Sequence, residues 1–366
     1  MSEEKSYLVT LKPFEPYFFG KEKWHETGNK SDFFQRSSLF PQQTALLGML
    51  RHFLLLRNDK IVNNRPLPDA WEVVGEKSFD VVANNSFGRI KKVSPVFIRY
   101  ADRNYMTTPK DWGLGFTESK IKTSYGSLVE INHFIPFSKE FDPKKEDDLR
   151  FIEGGKLLDL PNSEKVFTAI SQPGITKNKT GMKDDKGFYR QEYVSLHRDC
   201  SLAFYATIAD EDLNGFSDTI TMGGQRSPFL IQFTEDIIPD FGSLNLYSTN
   251  QPSNIWSKLV LLSDTFIFED IIGLSDFAIT DSVSFRNISS KLKGKDSTRR
   301  FSNLKIAKDN ASPNDQQILS GKYFLLEKGS VFFFKDEEKR TRVEKLITQA
   351  NFQNIGYNIF QIQKIS

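Results

Sequence analysis

Two spacings of apolar residues organise the chain. Residues 6–12 (Ser6-Tyr7-Leu8-Val9-Thr10-Leu11-Lys12) are a short β-prone run stopped by Pro13, which predicts a first strand. After Phe40-Pro41, the residues Ala45, Leu46, Met49, Leu50, Phe53 and Leu54 fall on one face at a 3.6-residue period. That predicts a helix over about residues 42–57, with Pro41 suited to its first position. Between them, residues 20–37 are polar and read as a long loop. Phe79 to Ala83 and Val93 to Tyr100 are further apolar runs, while 113–165 has no clear period. The stretch Gln172 to Lys186 carries Lys177, Lys179, Lys183 and Lys186 among Gly, Asn and Asp and reads as a mobile loop. Gly187 to Ala209 alternates well enough for two strands, and Met222 to Pro228 interrupts before the apolar run Phe229 to Phe233.

Residues 239–255, rich in Ser, Asn, Pro and Gly, read as a linker, and beyond them the pattern restarts. Residues 257–262 echo the first strand, Gly329 to Phe334 predicts another, and 337–349 is a charged amphipathic helix. Asn354 to Ile359 is a glycine turn leading into a final strand. Each half thus opens on a β run and closes on glycine followed by an apolar run, which predicts two related α+β units, at 1–245 and 254–366.

Composition narrows the function classes. At 366 residues two domains are expected, and 38% hydrophobic and 13% aromatic residues are enough to build their cores. Phenylalanine is the unusual count, 33 against 11 tyrosines, in runs such as Phe33-Phe34 and Phe332-Phe333-Phe334. The net charge is only +2, so any nucleic-acid affinity must come from local clusters of Lys and Arg. One cysteine, Cys200, excludes an internal disulfide and points to a reducing, cytoplasmic setting. No signal region opens the sequence and no stretch is long and apolar enough for a membrane span, so no membrane partner is expected.

The candidate chemistry is that of binding. In Gly223-Gly224-Gln225-Arg226 the glycines let backbone N–H groups approach a phosphate, and Arg226 adds charge; the plain alternative is a tight connection into a strand. Gln42, Gln43, Thr44 and Arg51 stand at the start and flank of the predicted helix, where free N–H groups favour an anion, or else they are ordinary capping and surface residues. Lys291, Lys293, Lys295, Arg299 and Arg300 form a basic segment able to track a sugar-phosphate backbone. The four histidines (His25, His52, His133, His197) share no metal-ligand spacing, and there is no Walker-type loop or dinucleotide fingerprint, so no metal or cofactor is expected.

In their order along the chain these segments resemble the third Cmr subunit of type III-B CRISPR effector complexes, in the RAMP superfamily. The proline-led helix ends in Gly48-Met49-Leu50-Arg51, and Ser94-Pro95-Val96-Phe97 is followed by Thr108-Pro109-Lys110-Asp111, with Ser94 where that family usually has glycine. Gln172-Pro173-Gly174-Ile175, the strand around Phe188-Tyr189-Arg190, the turn Met222 to Arg226 and the strand Gly329 to Phe333 complete the series.

The resemblance implies two ferredoxin-like, RRM-related domains with long loop insertions, and a non-catalytic subunit that holds the repeat-derived 5′ tag of a guide RNA. Its implied partners are that RNA, the large polymerase-like Cmr subunit and the backbone RAMP subunits. The RNA-binding residues expected are Gln43, Thr44, Arg51, Lys177, Lys179, Arg190, Gly223, Gly224, Gln225, Arg226, Lys293, Arg299, Arg300 and Gly356. The rival reading is a RAMP-type endoribonuclease, for which His25 or His52 with Tyr17 or a lysine would supply metal-independent acid-base chemistry. A third is a scaffold that binds only protein.

Overall fold

The computed structural model describes residues 3–20, 33–63, 65–112, 115–122, 128–137, 150–177, 183–223, 225–244, 257–286, 288–289, 318–319 and 323–364. Strand β1 is Glu4–Pro13, β2 Phe33–Ser38, α1 Gln43–Arg57, β3 Phe97–Tyr100, β4 Phe167–Lys177, β5 Lys183–Leu196, β6 Cys200–Ala209, β7 Ser217–Met222 and β8 Ser227–Glu235. In the second half β9 is Ser257–Leu261, β10 Phe277–Ile279, β11 Val331–Phe334, α2 Glu337–Ile347 and β12 Phe360–Lys364.

Each half is built on the ferredoxin strand order. In the first, β3, β6, β1 and β8 lie side by side and antiparallel, so that the first strand sits between the third and the fourth. In the second, β10, β11, β9 and β12 repeat the order. Each half keeps one of the fold's two helices. α1 fills the first crossover of the first half, whose second crossover carries β7 instead, and α2 fills the second crossover of the second half.

Strand alternation stacks these parts into four layers. In β1, Tyr7, Val9 and Leu11 face α1 while Leu8 points the other way, and in β6 Leu202, Phe204, Ala206 and Ile208 oppose Ala203 and Tyr205 in the same manner. The outward set meets Val260, Leu262, Val331 and Phe333 of the second sheet, so the two sheets pack face to face. On the far side Leu259, Leu261, Phe332 and Phe334 receive Val343 and Ile347 of α2. The α1-side core also takes residues of the second half: Phe266, stacked on Phe352 at 4.5 Å, packs with Phe79, Phe285 and Tyr357. Much of the phenylalanine excess is spent on this packing.

Several expectations from sequence need correction. Residues 33–37 are not loop but belong to β2, which pairs in parallel with β5, and most of Gln172 to Lys186 is not a mobile loop but the strands β4 and β5, ten pairs of which are in register or shifted once. The lysines, Pro173 and Gly174 break up any apolar alternation along this ribbon; Pro173 is tolerated because β4 is the edge strand of its sheet. Pro41 stands outside α1, whose N-cap is Gln42, and Ala45 is exposed beside the buried Leu46.

Candidate nucleic-acid interface

The segments that carried the resemblance meet at the seam between the two halves. Gln43, in the first turn of α1, is 5% exposed and donates from Nε2 to the carbonyl of Gly356 at 3.4 Å. Gly356 has φ +85°, and a Cβ there would stand 2.6 Å from the Ser94 carbonyl oxygen and 2.9 Å from Gln43 Nε2. Only glycine admits this approach. The hydroxyl of Tyr357, 1% exposed, faces the first-turn residues Gln43 and Thr44 without closing a hydrogen bond of ordinary geometry. Burial raises its pKa well above the usual phenol range. The start of α1 is therefore docked on the second half, and Gln43 and Gly356 hold each other; Thr44 is half-buried.

A second contact lies at Thr108 to Asp111. The Lys110 amide donates to the Gly329 carbonyl at 2.8 Å, and its ammonium pairs with Glu327 at 2.7 Å. Asp111, 1% exposed, forms an ion pair with Lys258 of β9, also 1% exposed, between the sheets. Burial lowers the Lys258 pKa to about 8 and raises that of Asp111, in both cases because desolvation outweighs the attraction between the partners. Lys258 escaped the sequence reading, although a lone charge leading directly into the apolar run Leu259 to Leu262 was the signal for it. Arg51 is also interior: at 7% exposed it donates to the Gly75 carbonyl at 3.2 Å, and burial lowers its pKa to about 10. That geometry gives Arg51 a structural task, holding the 75 loop to α1.

The solvent-facing candidates lie elsewhere. Gly223, Gln225 and Arg226 occupy the turn between β7 and β8, with both Gln225 and Arg226 exposed. Gly223 has φ +76°, and a Cβ would stand 2.4 Å from the Phe18 carbonyl oxygen. The Arg226 amide closes the turn on Gly223 O at 3.1 Å, and Arg226 itself holds φ +54°. Among the described residues its guanidinium has no partner. Arg190, on the exposed face of β5, donates to the hydroxyl of Ser171 and lies 5.7 Å from the centre of the Phe34 ring. The Lys177 backbone ends β4, opposite Lys183. Gly224, Lys179, Lys293, Arg299, Arg300 and His25 lie outside the described residues.

Among the described residues, Tyr17 and His52, two of the groups weighed for cleavage, are not brought together. Tyr17 is fully buried, its hydroxyl donating to the Leu39 carbonyl at 2.7 Å, while His52 lies on the solvent side of α1 and His197 contacts Glu164 at 2.5 Å. Among the described residues no group of three His, Cys, Asp or Glu is placed to hold a metal ion, and no helix is long and apolar enough to cross a membrane.

Residues 150–363, more than half of the chain, match the family model described as CRISPR-associated protein (Cas_Cmr3). No curated protein matches the chain. Among solved structures, a chain of the Type III-B Cmr-beta bound to cognate target RNA aligns at 13% identity and a TM-score of 0.45, with 98% of this chain and 99% of that one covered. A second, from the same assembly with cognate target RNA and AMPPnP, aligns at 14% identity and 0.45 over the same shares. The apo state of Cmr-beta aligns at 11% identity and 0.26, over 64% of this chain and 99% of the other.

Proposed function

The chain belongs to the Cas_Cmr3 family of CRISPR-associated proteins, and from that premise we propose that it is a non-catalytic subunit of a type III-B effector ribonucleoprotein, holding the 5′ repeat-derived tag of the guide RNA. In that assembly it joins the large polymerase-like subunit to the backbone subunits, in a soluble, cytoplasmic complex that serves antiviral defence.

The observation that carries the RNA part of the reading is the turn at Gly223 to Arg226. Gly223, itself exposed, packs its Cα side on the Phe18 carbonyl, and a solvent-facing guanidinium with no partner among the described residues stands three positions on. Backbone amides and an arginine at a tight turn suit a phosphate, which fixes register without reading sequence. Gln43, Thr44 and Gly356 support the site from the seam by fixing how the two halves meet, and Arg190 extends the basic surface along β5. Lys177, Lys179, Lys293, Arg299 and Arg300 are proposed to follow the RNA backbone beyond the turn.

Purifying tagged chain from its native host and sequencing the RNA and proteins that come with it tests this. Short RNAs sharing one repeat-derived 5′ end, accompanied by other RAMP proteins and a large polymerase-like subunit, are expected. Recovery alone, or with RNAs of unrelated ends, overturns the assignment.

A further inference from the structure

We propose that the exposed face of the β4–β5–β2 sheet is a stacking site for an unpaired base of single-stranded RNA, centred on Phe34 and flanked by Arg36 and Arg190. This deepens the guide-RNA reading and rests on it. It adds a base-contacting surface to the phosphate-contacting turn.

The register places the three side chains on one face. Phe34 and Arg36 are two apart in β2, and β5 runs parallel with Arg190 beside Phe34 and Glu192 beside Arg36. Gln191 and Ser37, of opposite parity, are 4% and 5% exposed and belong to the buried face. Phe34 is 38% exposed, with the Arg36 guanidinium carbon 5.1 Å and that of Arg190 5.7 Å from the centre of its ring. Both lie within cation–π range. Arg190 is further fixed by Ser171 of β4. Among the described residues neither guanidinium is in an ion pair, although Glu192 stands nearby on the same face.

A large apolar ring in a solvent-facing strand position, beside two guanidinium planes that form no ion pair among the described residues, suits one ligand chemistry best. Unpaired bases stack on aromatic rings and on arginine planes, and the phosphates that follow them need the positive charge. An apolar peptide would use the ring and leave both charges unanswered, and an acidic peptide would leave the ring unused. The platform is also continuous with the turn. Gly223 packs on Phe18, the next residues Phe19–Gly20 pair with β2 at Ser38 and Ser37, and β2 carries Phe34. The strand that carries Phe34 is thus linked through Phe19–Gly20 to the residue on which Gly223 packs.

The test uses the full chain and a fluorescein-labelled, unstructured RNA oligonucleotide, read by anisotropy, with Phe34→Ala, Phe34→Trp, Arg36→Ala/Arg190→Ala and Arg226→Glu compared at matched thermal stability. Phe34→Ala is expected to weaken binding roughly tenfold, the loss of one base–aromatic stack. Phe34→Trp should retain affinity, and its added emission should be quenched as RNA is titrated in. If Phe34→Ala and the double arginine variant leave affinity unchanged while Arg226→Glu weakens it, the platform is wrong and the turn stands. If the wild-type chain binds no RNA, alone or in the complex recovered from its host, both fail. If Phe34→Ala releases a protein subunit without changing RNA affinity, the face is a protein contact and the proposal is overturned.

Discussion

Lys258 and Asp111, one from each half of the chain, form an ion pair from which water is almost wholly excluded. Lys258 shares its strand face with Val260, and Asp111 follows the Lys110 contact to Gly329, so the pair sits where the two sheets meet. Among the described residues the second carboxylate oxygen, Oδ1 of Asp111, has no hydrogen-bond partner. Such a pair contributes more to the fit between the halves than to net stability, because desolvation offsets most of its attraction.

Breaking one side of that pair is accordingly worse than removing both. Lys258→Met leaves a buried, uncompensated carboxylate and is expected to cost about 3–5 kcal/mol in urea unfolding. Lys258→Met with Asp111→Leu should recover most of the loss. Because burial holds the Lys258 pKa at about 8 against 10.5 unfolded, the unfolded chain binds more protons between those values. This group therefore contributes stability that rises with pH from about 8 to 10.5. Subtracting the double variant's profile from that of the wild type should expose the slope, and its absence would mean that Lys258 is solvated.

Two glycines make opposite predictions. Gly356→Ala drives a Cβ into the Ser94 carbonyl at a φ of +85°, with the Gln43 amide also within 2.9 Å, and is expected to destabilise by about 3 kcal/mol or more and to loosen the hold of α1 on the second half. Gly48→Ala lies inside α1, with no atom within 4 Å of the new methyl, and should stabilise by about 0.5–1 kcal/mol. Thermal melts of the two variants beside the wild type check both signs.

The sequence was legible wherever burial was one-sided. The period that placed α1 and the alternation of Gly187 to Ala209 that placed β6 are both consequences of a single buried face. It was illegible in β2, β4 and the start of β5, where lysines, Pro173 and Gly174 hid a ribbon pairing with itself. The same blindness concealed Phe34, which looked like one more core phenylalanine and is exposed. At the site, motif order brought Gln43, Gly356, Asp111 and Gly329 into view, but letters cannot separate a residue that touches a ligand from one that holds the halves in place. Arg51 illustrates this: on a helical wheel it is a polar flank, and only the packing of the loop at Gly75 encloses it.

Asn358 is the residue whose loss should be felt most widely in the second half. It is fully buried at φ +55°, accepts from the Phe266 amide at 2.8 Å, and donates to the carbonyls of Phe266 at 3.1 Å and Ile347 at 3.0 Å. One side chain thus ties the crossover after β9 to the end of α2. Asn358→Leu strands three backbone groups and places a branched side chain in left-handed backbone, and a loss of about 3–5 kcal/mol is expected. Asn358→Asp keeps one acceptor but no donor and should be only partly better. Hydrogen exchange at Phe266 is the local measure, since its amide loses its acceptor in the leucine variant.

Arg226→Glu separates binding from folding. Residue 226 is exposed, makes no side-chain hydrogen bond or ion pair among the described residues, and already holds a positive φ that glutamate tolerates no worse than arginine. The melting temperature should therefore stay within about a degree of the wild type, as for other surface substitutions without a partner. RNA affinity should fall, because a like charge now stands beside phosphate. The loss should also change form with salt. Each phosphate neutralised on a single strand contributes about −0.7 to the slope of log K against log salt, so removing one cation should flatten that slope by about 0.7, and adding an anion should flatten it no less. A variant that bound RNA with an unchanged affinity and slope would place the phosphate elsewhere than the Gly223–Arg226 turn, whereas one that bound weakly with the wild-type slope would mean that Arg226 shapes the turn and does not touch the RNA.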